Sequence, residues 1–163
     1  HASVDGVRIT LSAAAEARLA GRSPLGFLDV IDPGDYLGLL VFAPPDDTAL
    51  EPVLTDVLRM VSERAGCATT LGYGPRYLHS TGQLHKGGPN NGVFVVVATE
   101  AAEDLPIPTQ PFSFAVLAAA QALGDFESLD RTGRRAVLLQ MPSRSREAIT
   151  GIMMRLLAET GAR

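Results

Sequence analysis

One cysteine, no tryptophan, three histidines and a charged share of only 20% leave this 163-residue chain with few of the side chains that advertise a function. Each shortage excludes something. The lone cysteine, Cys67, forms no internal disulfide, so a reduced, cytoplasmic setting is the simplest expectation. A zinc site would need more ligands than Cys67, His79 and His85 supply, and neither a metal nor another cofactor is expected. No run approaches the roughly 18 uninterrupted apolar residues of a membrane-spanning helix, and the first residues lack a basic region followed by an apolar stretch. A net charge of −4 argues against a surface made to coat nucleic acid, so neither nucleic acid nor membrane is an expected partner.

What remains is an ordinary apolar share of 46% and a length that can bury a core without disulfides or metals. The chain begins at His1 instead of methionine, which suggests a trimmed chain or a domain cut from something longer, and His1 itself is uninformative. Residues 1–34 are rich in Ala, Gly and Asp, with a helix predicted at Ser12–Ala20, and are assigned to an N-terminal helical or linker extension. Asp32, Pro33 and Gly34 mark a turn into the main domain, 35–163. There Tyr36–Ala43 reads as a strand covered on both faces. Thr48 and Glu51 have the capping-box spacing, and Leu50, Val53, Leu54, Val57, Leu58 and Val61 share the apolar face of the helix that follows. Strands are predicted at Cys67–Leu71, Val93–Thr99 and Ala136–Met141. Helices are predicted at Phe114–Leu123, ending at Gly124, at Phe126–Arg131 and at about Ser145–Thr160. Alternating strands and helices predict an α/β fold of three layers, a mostly parallel sheet with helices on both faces.

The chemically able residues concentrate in Leu71–Asn91, LGYGPRYLHSTGQLHKGGPNN. Two of the three histidines lie here, with Arg76, Ser80, Thr81, Gln83, Lys86, five glycines and two prolines. Such punctuation is loop chemistry, and a loop that follows a parallel strand falls where α/β folds gather ligands. Ser80 could cap a short helix and leave the His79 imidazole beside its positive end, which suits proton exchange near neutral pH. The bland alternative is a histidine that bonds a loop carbonyl. Lys86-Gly87-Gly88 lacks the spacing and the following Ser/Thr of a nucleotide P-loop. Arg76 and Lys86 bracket His79 with positive charge that could hold a phosphorylated ligand, or could be solvated loop cations.

The run GYGPRYLHSTGQLHKGGPN resembles the signature of the isomerase half of bifunctional transaldolase/glucose-6-phosphate isomerase proteins, and FSFAVLAAAQALGDFESLDRTGRR resembles the closing region of that half. With the strand and helix before them, these segments cover most of 35–140. More remotely, HSTGQLHKGG is similar to the HxxxQ segment of ordinary glucose-6-phosphate isomerases, whose first histidine opens the sugar ring; here that position is His79. The resemblance implies a flavodoxin-like sugar isomerase domain, the second of two, that interconverts an aldose and a ketose phosphate. His79 would be catalytic, and Arg76, Ser80, Thr81, Gln83, His85 and Lys86 would bind substrate. Its implied partners are a sugar phosphate and, for a fragment, the N-terminal sugar isomerase and transaldolase domains; a homodimer is also open. Two positions depart from the ordinary isomerases: Leu58 stands where a catalytic glutamate is expected, with Glu63 the loose substitute, and Gln121 stands for a lysine. A non-catalytic sugar-phosphate binding module that regulates a partner is the alternative.

Overall fold

Valine, leucine and phenylalanine alternate between two buried faces in the central strands, and this builds the molecule. In the computed structural model, which describes residues 2–43, 50–100, 104–142 and 145–161, six strands form one sheet. They are β1 (Ala2–Val4), β2 (Val7–Leu11), β3 (Tyr36–Phe42), β4 (Ala68–Tyr73), β5 (Gly92–Thr99) and β6 (Arg135–Met141), in the spatial order β1-β2-β6-β5-β3-β4. β4, β3, β5 and β6 are mutually parallel, whereas β1 and β2 add an antiparallel edge. In β5, Val93, Val95 and Val97 pack to one side, and Phe94 and Val96 to the other.

Among the described residues, five helices cover the two faces: α1 (Ala13–Leu19), α2 (Leu50–Ala65), α3 (Gly82–Gly87), α4 (Phe114–Arg131) and α5 (Arg146–Glu159). α1, α2, α5 and a 3₁₀ stretch at Pro24–Val30 bury Leu19, Phe27, Leu54, Val61, Ile152 and Leu156 against one face. α4 and the segment between β4 and β5 cover the other with Ala122, Phe126, Leu129 and Tyr77. The expected three-layer α/β architecture is therefore present. Taken alone, the parallel strands run second-first-third-fourth, so the chain reverses direction across the sheet between β3 and β5.

Two expectations need correction. Residues 1–34 are not an extension beside the sheet, because β1 and β2 belong to it. Asp5 and Gly6 turn between them at φ of 50° and 78°, the left-handed geometry of a two-residue hairpin. Ser12, fully buried, then joins this part to the rest: its hydroxyl caps α1 at Ala15 N, donates to Arg134 O and accepts from Ala136 N. Nor does Gly124 end a helix. α4 runs through it to Arg131, and the left-handed residue that closes it is Gly133, at φ 70°. A single helical glycine costs about 1 kcal/mol, too little to stop a helix whose buried stripe, Ala122, Asp125, Phe126 and Leu129, continues past it.

The proposed capping box involves Thr48, which lies outside the described residues; α2 itself is present from Leu50. Among the described residues, no helix is long and apolar enough to cross a membrane.

Candidate functional site between β4 and β5

The Gly-rich stretch leaves the sheet at the carboxyl end of β4, where Gly74 N donates to Val41 O of neighbouring β3, and re-enters at the amino end of β5. It therefore crosses a whole face of the sheet, and its two halves end in different places. Two glycines at its start serve packing. A Cβ on Gly72 would lie 3.2 Å from the Tyr77 ring, and one on Gly74 only 2.6 Å from the Phe42 ring. Neither has a positive φ, so what is required is the absence of a side chain, which lets two aromatic rings sit on the strand.

After the cis Gly74–Pro75 bond, Arg76–His79 forms a single 3₁₀ turn. Tyr77 points inward, edge-on to Phe42 at 5.9 Å between ring centroids, while Arg76, His79, Ser80 and Thr81 are exposed. Among the described residues no ion pair or hydrogen bond engages the side chain of Arg76 or of His79. Ser80 does not cap a helix: it closes the 3₁₀ turn, its hydroxyl donating to Tyr77 O at 3.2 Å, and Thr81 stands between it and α3. Thr81 occupies the position before α3 and makes no side-chain capping bond, and α3 is only six residues long. The expected serine-capped helix start beside the imidazole is thus not formed. Its cause is local: Ser80 closes the preceding turn, and Thr81, the residue before α3, is in helical geometry (φ −87°, ψ −10°) instead of the extended backbone of a capping residue.

The second half is buried. His85 is 3% exposed, its Nδ1 lies 3.0 Å from the Tyr36 hydroxyl, and its ring sits among Tyr36, Tyr77 and Phe94. Burial lowers its pKa from the ordinary 6.5; Asp125 opposes the shift and Lys86 adds to it. Burial also raises the Tyr36 pKa, so phenol and imidazole meet as neutral partners. His85 is therefore a core residue and does not line an open binding surface, contrary to the substrate-contact expectation.

Lys86, the chain's only lysine, is likewise committed. Its ammonium lies 2.5 Å from Asp125 Oδ1 on α4, an ionic contact to a carboxylate that is almost wholly buried. The other carboxylate oxygen accepts from the Tyr77 hydroxyl, whose pKa is pushed up by burial first and by the Asp125 charge second. Of the two cations expected to hold an anionic ligand, Arg76 has no ion-pair partner among the described residues. Gln83 is exposed on α3.

Two residues carry this segment without having stood out in the sequence. Arg134, 4% exposed, donates to Lys86 O, Gly88 O, Pro89 O and Asn90 Oδ1, and so gathers the end of α3 and the loop into β5. Asp125 holds Tyr77 and Lys86. The signal for both was charge in an apolar setting: an aspartate inside the Ala-rich helix, and an arginine pair opening a buried strand.

Glu63 is not a partner of His79. It closes α2, whose buried side packs on the opposite face of the sheet, and its carboxylate bonds Arg59 at 2.9 Å one turn away. Gln121 stands half-buried on α4, one turn before Asp125. Thr69, Thr70 and Tyr73 are half-buried residues of the edge strand β4. Among the described residues, no three His, Cys, Asp or Glu side chains converge in a way that could hold a metal. In the loops that leave β3 and β5, where the order of strands reverses, residues 44–49 and 101–103 lie outside the described residues.

No family model matches the chain, and no curated protein does. Among solved structures it is similar to a hypothetical protein from Thermus thermophilus, with a TM-score of 0.66 and 20% identity over 83% of this chain. The matched part is 36% of that protein, and at this identity the likeness speaks for the fold alone.

Proposed function

We propose that the chain is the C-terminal sugar isomerase domain of a cytoplasmic glucose-6-phosphate isomerase, cut from a transaldolase fusion, which interconverts glucose 6-phosphate and fructose 6-phosphate. The observation that carries this reading is an exposed imidazole, His79, on the turn leaving the carboxyl edge of β4, three residues from an exposed, unpaired guanidinium, Arg76. Parallel α/β sheets gather ligands along that edge. The resemblance of Leu71–Asn91 to the isomerase signature supports the same assignment.

In this reading His79 gives a proton to the ring oxygen as the C1–O5 bond breaks, and the C1 hydroxyl loses one, which leaves the open aldehyde. A carboxylate then takes the C2 proton and returns it to C1 through an ene-diolate, while the proton of the C2 hydroxyl passes to O1, so the isomerisation involves no net oxidation. Arg76 stabilises the oxyanion or holds the phosphate, an effect worth about 3 kcal/mol where water is excluded. Ser80, Thr81 and Gln83 offer exposed hydrogen-bonding groups, while Lys86 and His85 act through the architecture. The carboxylate step falls to neither Glu63 nor Asp125, for the first is on the other face and the second is committed. The chain alone is therefore expected to be inactive or feeble.

Co-expression with the N-terminal sugar isomerase and transaldolase domains of its reading frame, followed by an assay of fructose 6-phosphate formation, tests the proposal. His79→Ala should cost about 10²–10⁴-fold in turnover, and full activity in that variant removes His79 from the mechanism. That neither carboxylate can take this step favours one other reading, a sugar-phosphate sensor without catalysis. An isomerase binds an ene-diolate mimic more tightly than substrate, and a sensor does not.

A further inference from the structure

The exposed part of the segment between β4 and β5 is tied down on both sides by one side chain. Asp125 sits in mid-α4 with its carboxylate 1% exposed. On one side of His79 it accepts from the Tyr77 hydroxyl, and on the other it meets Lys86 Nζ at 2.5 Å. Burying a carboxylate and an ammonium costs several kcal/mol that their attraction only partly offsets, and an apolar trio of similar volume commonly stabilises a fold as well or better. What an apolar trio cannot supply is direction. A carboxylate with one oxygen hydrogen-bonded to the Tyr77 hydroxyl and the other in ionic contact with the Lys86 ammonium fixes where each partner stands, and these partners belong to the two pieces that flank the exposed turn.

We propose that Asp125 is a positioning residue for the turn that carries His79: a single buried carboxylate on α4 fastens Tyr77 before it and Lys86 after it. The two attachments are unequal. α3 has a second hold, because Arg134 takes the carbonyls of Lys86 and Gly88. Among the described residues the Arg76–His79 turn has no such second polar hold: besides the bond from the Tyr77 hydroxyl it is kept by packing alone, the Tyr77 ring on Gly72 and Phe42 and the partly buried Leu78 beside it. Loss of the carboxylate therefore loosens the turn more than the helix. The consequence for turnover rests on the proposed isomerase reading, whereas the anchoring does not.

Amide hydrogen exchange on the 163-residue chain tests the anchoring. Asp125→Ala should speed exchange over residues 76–87 by about tenfold or more, with β3 and β5 changed less than about twofold. Tyr77→Phe should loosen 76–80 alone, and Lys86→Gln chiefly 82–87. Asp125→Asn, which keeps an acceptor for Tyr77 and lacks the charge for Lys86, should restore 76–80 and leave 82–87 fast. Uniform acceleration across the sheet, or none in the segment, overturns the proposal; if Asp125→Ala does not fold, the two single-contact variants decide by the same pattern. In the co-expressed assembly, Asp125→Ala should lower kcat by about tenfold with KM changed less than about threefold. An unchanged kcat overturns the positioning role. An assembly inactive in the wild type overturns the isomerase reading instead, and exchange still settles the anchor.

Discussion

His79 and His85 lie six residues apart in one Gly-rich segment, and the fold treats them as opposites. His79 ends an exposed 3₁₀ turn at the carboxyl edge of the sheet, with no bond to its ring among the described residues. His85 faces inward from α3, bonded to Tyr36 and ringed by aromatics that reach the amino ends of β3 and β5. The difference follows from the path of the chain. A connection between parallel strands must travel from one end of the sheet to the other, so its first residues sit where ligands gather and its last ones pack as a crossover helix. Composition marks both halves as loop chemistry, but only the first is free to do chemistry.

The widest separation of the two should be functional. In the co-expressed assembly His79→Ala should lose about 10²–10⁴-fold in turnover, while the melting temperature of the chain stays within the small range typical of surface changes. His85→Ala should do the reverse, removing a buried ring from between Tyr36, Tyr77 and Phe94 at a cost of about 2–4 kcal/mol by urea denaturation. If the alanine at 85 left stability untouched and abolished substrate binding, the contrast would collapse.

A smaller effect probes the start of the segment. Gly74→Ala places a methyl 2.6 Å from the Phe42 ring, and it should destabilise by about 1–3 kcal/mol through overpacking. The same measurement on Gly87→Ala, where nothing lies within 4 Å of the added carbon, should show no comparable loss.

Periodicity made the sheet legible, because β3, β5 and β6 are apolar runs whose length and content permit little else. The amino-terminal hairpin was marked only by Asp5-Gly6, since strands of three and five residues carry too few alternations to show a period. The site was half legible. Residue type could find His79 and Arg76, but the fates of His85 and Lys86 depend on Tyr36, Asp125 and Arg134, all of them distant along the chain. No local signal encodes such a pairing. Glycine misled in a different way: in this stretch Gly72 and Gly74 make room for rings, and sequence alone does not separate that use from a ligand cradle.

The acid response sharpens the contrast further. Burial holds the His85 pKa below 6.5, so below that pH the unfolded chain takes up a proton that the folded chain refuses. The contribution is fully present above about pH 6.5 and declines as pH falls through the window toward the folded value, by at most about 1.4 kcal/mol per unit. Urea unfolding at about pH 7 and about pH 5.5 should show that loss, and His85→Phe should remove it. A slope that survives the substitution would place the titrating group elsewhere.

The smallest effect is expected at Glu63, and it bears on which part of the sheet holds the chemistry. Its carboxylate is well exposed, one helical turn from Arg59, on a helix that packs against the opposite face from Tyr77 and Asp125. An exposed pair of this kind contributes little, so Glu63→Gln should shift stability by no more than about 0.5 kcal/mol. Turnover of the co-expressed assembly should be unchanged, because no side-chain motion carries a group through a sheet whose strands are packed on both sides. A loss approaching that of His79→Ala would require the substrate to reach α2, and the division of labour between the two faces would then have to be redrawn.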